Sequence, residues 1–181
     1  MSISSHNFGY GTGTRIALAL GIAGSAFVSG SLFASSFLTI PALLTPSRSF
    51  SPAYLAAQWS RLAGRGRALI SPLALIASVA YGFAAYSLHY SYSQSKAKLY
   101  LFAGLLTISS WPYANICMRA VHNALEQKAR SLASAPLDEG SVRKREIIET
   151  ERLVQTWAWQ NVGRGLLPLV GCALGIVALL F

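Results

Sequence analysis

Four long stretches of this chain hold no Asp, Glu, Lys or Arg: residues 16–47, 68–95, 99–118 and 165–181. One charged side chain at the centre of a bilayer costs about 2.5–3.5 kcal/mol even on the lenient insertion scale. A helix crosses the hydrocarbon core with about 20 apolar residues. The runs are 32, 28, 20 and 17 residues long. The first three reach that length, and the last does so as an apolar 157–181 helix interrupted only by Arg164. The pattern predicts an all-α protein, a four-helix transmembrane bundle of one domain. Its spans fall at about 16–40, 68–90, 99–121 and 159–181, behind a flexible tail over 1–14.

Composition narrows the function classes. The chain is 53% hydrophobic and 12% charged, against about 25% charged for soluble domains. A net charge of +9 is not a nucleic-acid footprint here, because the bases lie between apolar runs rather than among aromatics on one soluble face. Cys117 and Cys172 both fall in expected spans, which implies neither a disulfide framework nor a zinc site. The first run exceeds the 7–15 residues of a signal-peptide core, so a retained helix is expected.

Twelve of the fifteen Lys and Arg residues lie in the first and third loops or at their edges. The other three are Arg15, Lys96 and Lys98. The positive-inside rule then places both termini away from the cytosol. All six acids lie between Glu126 and Glu151. The first helix is expected to close at Pro41, and the first loop to run over 41–66. The third helix should cover about 99–125, and a turn-rich break 134–140. From Ser141 an amphipathic, salt-laced cytosolic helix should lead into the fourth span.

Two stripes of small residues, Ala17–Gly21–Ser25–Ser29 and Gly171–Gly175, have the spacing of helix-packing seams; the glycine richness of membrane helices in general accounts for them equally well. On the fourth helix Trp157, Asn161, Arg164, Pro168, Gly171 and Gly175 share one face. Arg164 there has two readings: a polar group turned into the bundle, or an anchor snorkelling to headgroups. The third helix repeats the spacing with Trp111, Asn115, Met118, His122 and Leu125, and Pro112 removes the N–H owed to the Ile108 carbonyl. His122 is the residue suited to moving protons near neutrality, although a histidine at a membrane boundary is more often simply solvated. His89 with Tyr86, Tyr90 and Tyr92 reads as an aromatic belt, and His6 belongs to the tail. No ligand spacing for a metal, nucleotide loop or nucleophile triad is visible.

Gln58-Trp59 with Gly66, then Pro112-Tyr113 with Met118, Asn123 and Leu125, then Trp157, Asn161 and Arg164 with Leu167-Pro168 and Gly171, resemble the anthrone oxygenase family. The resemblance runs from about the first helix to the C-terminus. Ala114 stands where members often carry Thr, and Ala63 where an aromatic is frequent. The resemblance implies a small four-helix membrane monooxygenase of polyketide secondary-metabolite biosynthesis. Such an enzyme oxidises an anthrone to an anthraquinone with O2 and requires no flavin, haem or metal. On that reading Trp157, Trp111, Tyr113 and Trp59, with Asn123, bind the flat substrate. Arg164 and Asn161 stabilise its enolate oxygen, and His122 is the base candidate. The expected partners are a hydrophobic aromatic polyketide, O2 and membrane lipid. Two rivals are a non-catalytic four-helix membrane scaffold and a carrier for a hydrophobic small molecule; the latter fits poorly, with no intramembrane acid and no inverted repeat.

Overall fold

In an apolar medium each backbone N–H and C=O needs a partner within its own segment, so charge-free runs of this length become helices. The computed structural model describes residues 11–45, 52–89, 94–134 and 140–181, which are helical almost throughout, with no strand among them. Five helices occur among the described residues, where the sequence reads as four: α1 (Thr12–Leu43), α2 (Pro52–His89), α3 (Gln94–Ile116), α4 (Arg119–Ser134) and α5 (Gly140–Leu180). Three of them, α1, α2 and α5, are long and apolar enough to cross a membrane. α3 falls short on composition, since its second half carries Ser109, Ser110, Pro112 and Asn115 among the aromatics.

α1 and α3 each pack against both α2 and α5, closing a ring of four helices, and α4 packs across α2 and α5. Three clusters of buried residues lie along this ring. One end holds Leu18, Tyr81, Ala84, Leu88, Tyr100 and Ala103. The middle holds Val28, Leu32, Ile70 and Ala74. The other end holds Leu55, Trp59, Met118, Leu125, Val154 and Trp157.

The small-residue stripes are packing seams. A Cβ on Gly171 would stand 2.7 Å from the Ala103 carbonyl oxygen, and one on Gly175 would stand 2.5 Å from the Tyr81 hydroxyl. No side chain fits at either contact.

Three boundaries differ from the sequence expectation. α1 does not close at Pro41: it widens into a π-helical turn at Ser35–Thr39, then continues through Pro41 to Leu43. The wide turn just before the proline takes up the ring's steric demand. α2 begins at Pro52, so most of the expected first loop is helix. Its Ala-, Leu- and Arg-rich sequence favours helix despite Gly64 and Gly66, and fully buried Leu55, Ala56 and Trp59 hold it. The expected third helix is interrupted at Cys117-Met118, which creates α4. The Cys117 N–H reaches the Tyr113 carbonyl (2.8 Å), and the His122 N–H restarts the helix at the Met118 carbonyl (2.9 Å). Met118 is fully buried at the break.

Lys128 on α4 grips Glu146 (2.6 Å) and Glu149 (3.0 Å) on α5. The first ten residues of the expected tail, with His6, lie outside the described residues, as do Arg48, Tyr90, Tyr92 and most of the 134–140 break; helix begins already at Thr12.

Candidate functional site

The α5 stripe turns inward. Trp157, Asn161 and Arg164 are 5%, 1% and 8% exposed, and all three line one cavity between the helices. Its other walls include Leu32 and Ser35 of α1, Gly66, Arg67 and Ser71 of α2, Trp111 and Asn115 of α3, and His122 of α4.

Specific bonds fix Arg164, Asn161 and His122 in the wall. The Arg164 Nε–H donates to the Ser110 carbonyl at 3.0 Å. That single bond holds the guanidinium in place and uses one of its five donors. The Asn161 Nδ2 group donates to the Leu32 carbonyl (3.0 Å) and to Ser36 Oγ (3.1 Å). A carbonyl only accepts, so the amide nitrogen must face Leu32 and Oδ1 must face away. Oδ1 is buried without a partner among the described residues, as is Ser71 Oγ. Ser29 Oγ adds a bond to the Gly165 carbonyl (2.9 Å), further tying α1 to α5.

The Trp157 indole N–H donates to His122 Nε2 at 2.9 Å. An Nε2 that accepts leaves the neutral ring's proton on Nδ1. Burial, then the positive charges of Arg67 and Arg164, push the His122 pKa below its ordinary value against the opposing pull of Glu126. Trp59 braces the pair from behind, 5.7 Å from the His122 ring and edge-on to Trp157 at 6.0 Å.

Arg67 and Arg164 thus line the same cavity, and among the described residues neither forms an ion pair with a carboxylate. Two cations with spare donors, two unpartnered acceptors and aromatic walls suit a flat molecule that carries, or develops, negative charge on oxygen. Among the described residues no three His, Cys, Asp or Glu side chains converge as a metal set.

Five of the eight residues singled out from sequence line the cavity: Arg164, Asn161, His122, Trp157 and Trp111. Trp59 is fully buried behind it. Tyr113 is half-buried and turned towards Gly163, where a Cβ would meet its hydroxyl at 2.8 Å. Asn123 lies on the outer face of α4 beside Glu126, Gln127 and Arg130, because neighbours on a helix point about 100° apart. Asn161 has an acceptor, not a donor, to spare, and the His122 lone pair at Nε2 is already engaged. Sequence reasoning missed Arg67, Ser71 and the α1 turn. For Arg67 a signal existed, since Trp59, Ala63, Gly66, Arg67 and Ile70 fall on one face of a helix.

The chain matches the family described as anthrone oxygenase over residues 59–174. It is 34% identical over 165 residues to an anthrone oxygenase of Claviceps purpurea, an alignment covering 91% of this chain and 86% of that one. To a noranthrone monooxygenase of Aspergillus flavus it is 33% identical over 152 residues, covering 84% of this chain and 68% of the relative. An anthrone oxygenase of Paecilomyces divaricatus is 28% identical over 163 residues, covering 90% and 94% respectively. No solved structure matches the chain.

Proposed function

The chain belongs to the anthrone oxygenase family, and we propose that it is a membrane-embedded monooxygenase that converts an anthrone to an anthraquinone with O2, without a cofactor. The observation that carries this reading is the meeting of buried Arg164 and exposed Arg67 in the lining of one cavity with aromatic walls, neither ion-paired to a carboxylate among the described residues.

An anthrone supplies its own reducing electrons. Its central CH2 is acidified by the ketone, and loss of one proton to water or hydroxide gives an enolate. That anion passes one electron to O2, yielding a carbon radical and superoxide, which combine into a peroxide. Protonation gives the hydroperoxide, and loss of water across its C–H and O–O bonds leaves the second carbonyl. One substrate and one O2 become one quinone and one water, so atoms and electrons balance.

The protein's part is electrostatic. The guanidiniums favour the enolate over the neutral ketone and hold the peroxide oxygens. Asn161 Oδ1 accepts from a substrate phenol or a water. Trp157 and Trp111 flank the part of the substrate that reaches the two arginines. His122, with Nε2 engaged by Trp157, orients that tryptophan and presents its Nδ1–H rather than acting as the base.

The purified protein in detergent should form quinone from a dihydroxyanthrone well above the protein-free rate. Isotopically heavy O2 should leave one heavy atom in each quinone and one in water. Release of stoichiometric hydrogen peroxide, or loss of turnover in EDTA restored by a metal, overturns the reading.

We also propose that four helices span the membrane, α3 among them, with the charged start of α5 as an amphipathic cytosolic segment and both termini on the opposite side. The twelve-to-three division of Lys and Arg supports this. Glycosylation tags at the two ends should be modified; modification of a tag within 130–145 instead reverses the orientation.

A further inference from the structure

Volume limits what the cavity can do. Its volume is about 50 Å³. Pockets that bury a drug-sized ligand run to about 300–1,000 Å³. A tricyclic aryl ketone therefore does not fit inside it. Beside it an open groove of about 430 Å³ runs between α1 and α2. Ser35, Leu62, Gly66 and Ile70 line both spaces and form a shared neck.

We propose that this α1–α2 groove is the binding site for the substrate's ring system, and that the oxygen-bearing edge alone passes the neck to reach Arg67 and Arg164. The inference rests on the oxygenase reading and adds where the substrate lies.

Three features of the groove select a flat phenolic ketone. Leu43, Leu62, Leu69 and Ile70 supply apolar surface for the rings. Arg61 and Arg65, one helical turn apart, rim the groove, and no acid lines it, so a phenolate meets complementary charge. Ser35 and Thr39 belong to the π-helical turn, and their hydroxyls donate back to the Ser31 and Ala34 carbonyls, leaving oxygen lone pairs for phenol donors. A π-helical turn inside an α-helix is a costly local form found mostly at functional sites; this one turns Ser35 and Thr39 to the groove and Ser36 and Phe37 to the opposite side of α1. The other groove on α1, between Ile40, Pro41, Ala158 and Trp159, encloses about 320 Å³ but shares no residue with the cavity and carries no cation.

Gly66 gives direct access to the neck. A Cβ there meets only Ile70 Cδ1, at 4.0 Å, and leaving glycine gains helix propensity. Gly66→Leu should therefore fold at least as well as the wild type while filling the neck. With the full chain in detergent, we expect kcat/KM for a dihydroxyanthrone to fall at least tenfold in Gly66→Leu. Affinity for the stable probe dihydroxyanthraquinone should fall in parallel, with apparent Tm unchanged or raised. Gly64→Leu, on the same helix with nothing within 4 Å of its Cβ, should leave both unchanged. Arg61→Gln with Arg65→Gln should weaken binding of the dihydroxy probe more than of its dimethoxy analogue. Full turnover and probe affinity in Gly66→Leu overturn the groove and leave the oxygenase reading standing. Loss of co-purified phospholipid from Gly66→Leu with turnover intact makes the groove a lipid site and overturns it equally. A wild type that binds the probe in a Gly66-dependent way but never turns over overturns the oxygenase reading instead.

Discussion

The two ends of the helix ring handle polar groups in opposite ways. At the end built around Tyr81, the Tyr81 and Ser25 hydroxyls are spent on each other and on backbone carbonyls. The Tyr81 hydroxyl lies 3.1 Å from Ser25 Oγ and donates to the Gly171 carbonyl at 3.4 Å. Tyr100 stacks on the Tyr81 ring at 6.3 Å, and Gly171 and Gly175 bring α5 into direct contact with α3 and α2. At the end built around Arg164, capacity is left over. Arg164 uses one of its five donors beside a cavity, Asn161 Oδ1 and Ser71 Oγ are buried without a partner among the described residues, and the surrounding helices are irregular: a π-helical turn in α1, Pro112 in α3 and the break before α4. Buried polar groups that satisfy each other hold a bundle together; buried polar groups with spare bonds, kept in place by costly backbone, prepare it for a ligand. Substitutions at the first end should change stability, and at the second turnover.

The largest expected effect tests the open end. Arg164→Lys keeps a positive charge but loses the planar fork and the Nε bond to Ser110. Removing one oxyanion donor from an enzyme typically lowers turnover by about 10²–10³, so a loss of at least about tenfold is expected, with normal insertion and yield. Arg152→Lys, exposed and outside the stripe, should be silent. Full turnover with unchanged anthrone affinity in Arg164→Lys makes this arginine a headgroup anchor and erases the contrast.

The closed end should respond the other way. In Gly171→Ala the new methyl meets the Ala103 carbonyl and the Thr107 hydroxyl, at 2.7 and 2.8 Å. Both belong to the packed face of α3, so the helices must part, at a cost of about 1–3 kcal/mol by analogy with overpacked cores. The apparent Tm in detergent should drop by several degrees, while turnover per folded molecule stays near the wild type. Lost turnover at unchanged Tm would mean that the two ends act as one unit.

How far the sequence announced each end follows from the same physics. Absence of charge over about 20 residues has almost one explanation, so the long helices were legible. So was the Trp157–Asn161–Arg164 stripe, because a period near 3.5 puts it on one face whatever surrounds it. The start of α2 was not legible: its glycines, serines and arginines resemble a loop, and the burial of Leu55 and Trp59 that makes it helical depends on Met118, Leu125 and Val154, far along the chain. Arg67 was hidden for a simpler reason, its charge being sufficiently explained by membrane orientation. The face Asn161 occupies follows from the period, but which of its atoms is left unbonded is decided by the Leu32 carbonyl, 129 residues away.

The smallest effect probes the hinge of the comparison, the Trp157–His122 bond at the edge of the cavity. His122 titrates below its ordinary value, chiefly through burial and then through Arg67 and Arg164. A histidine with a lowered pKa binds its proton less readily folded than unfolded. The neutral ring's contribution is therefore complete above the unfolded value of about 6.5 and is lost as pH falls through the lowered folded one. Protonation would put N–H on Nε2, facing the Trp157 N–H that now donates to it, and add a third cation beside two guanidiniums. Apparent Tm and turnover should hold level from about pH 7 to 8 and decline together on the acid side. His122→Gln offers an uncharged oxygen acceptor to Trp157, so it should flatten the acid limb of both curves while keeping most of the activity near neutrality. If His122→Gln retains the same acid limb, the titrating group lies elsewhere. Loss of turnover at every pH with Tm preserved would instead require the imidazole's Nδ1–H or its proton in the reaction itself, and the base role passed over here would return.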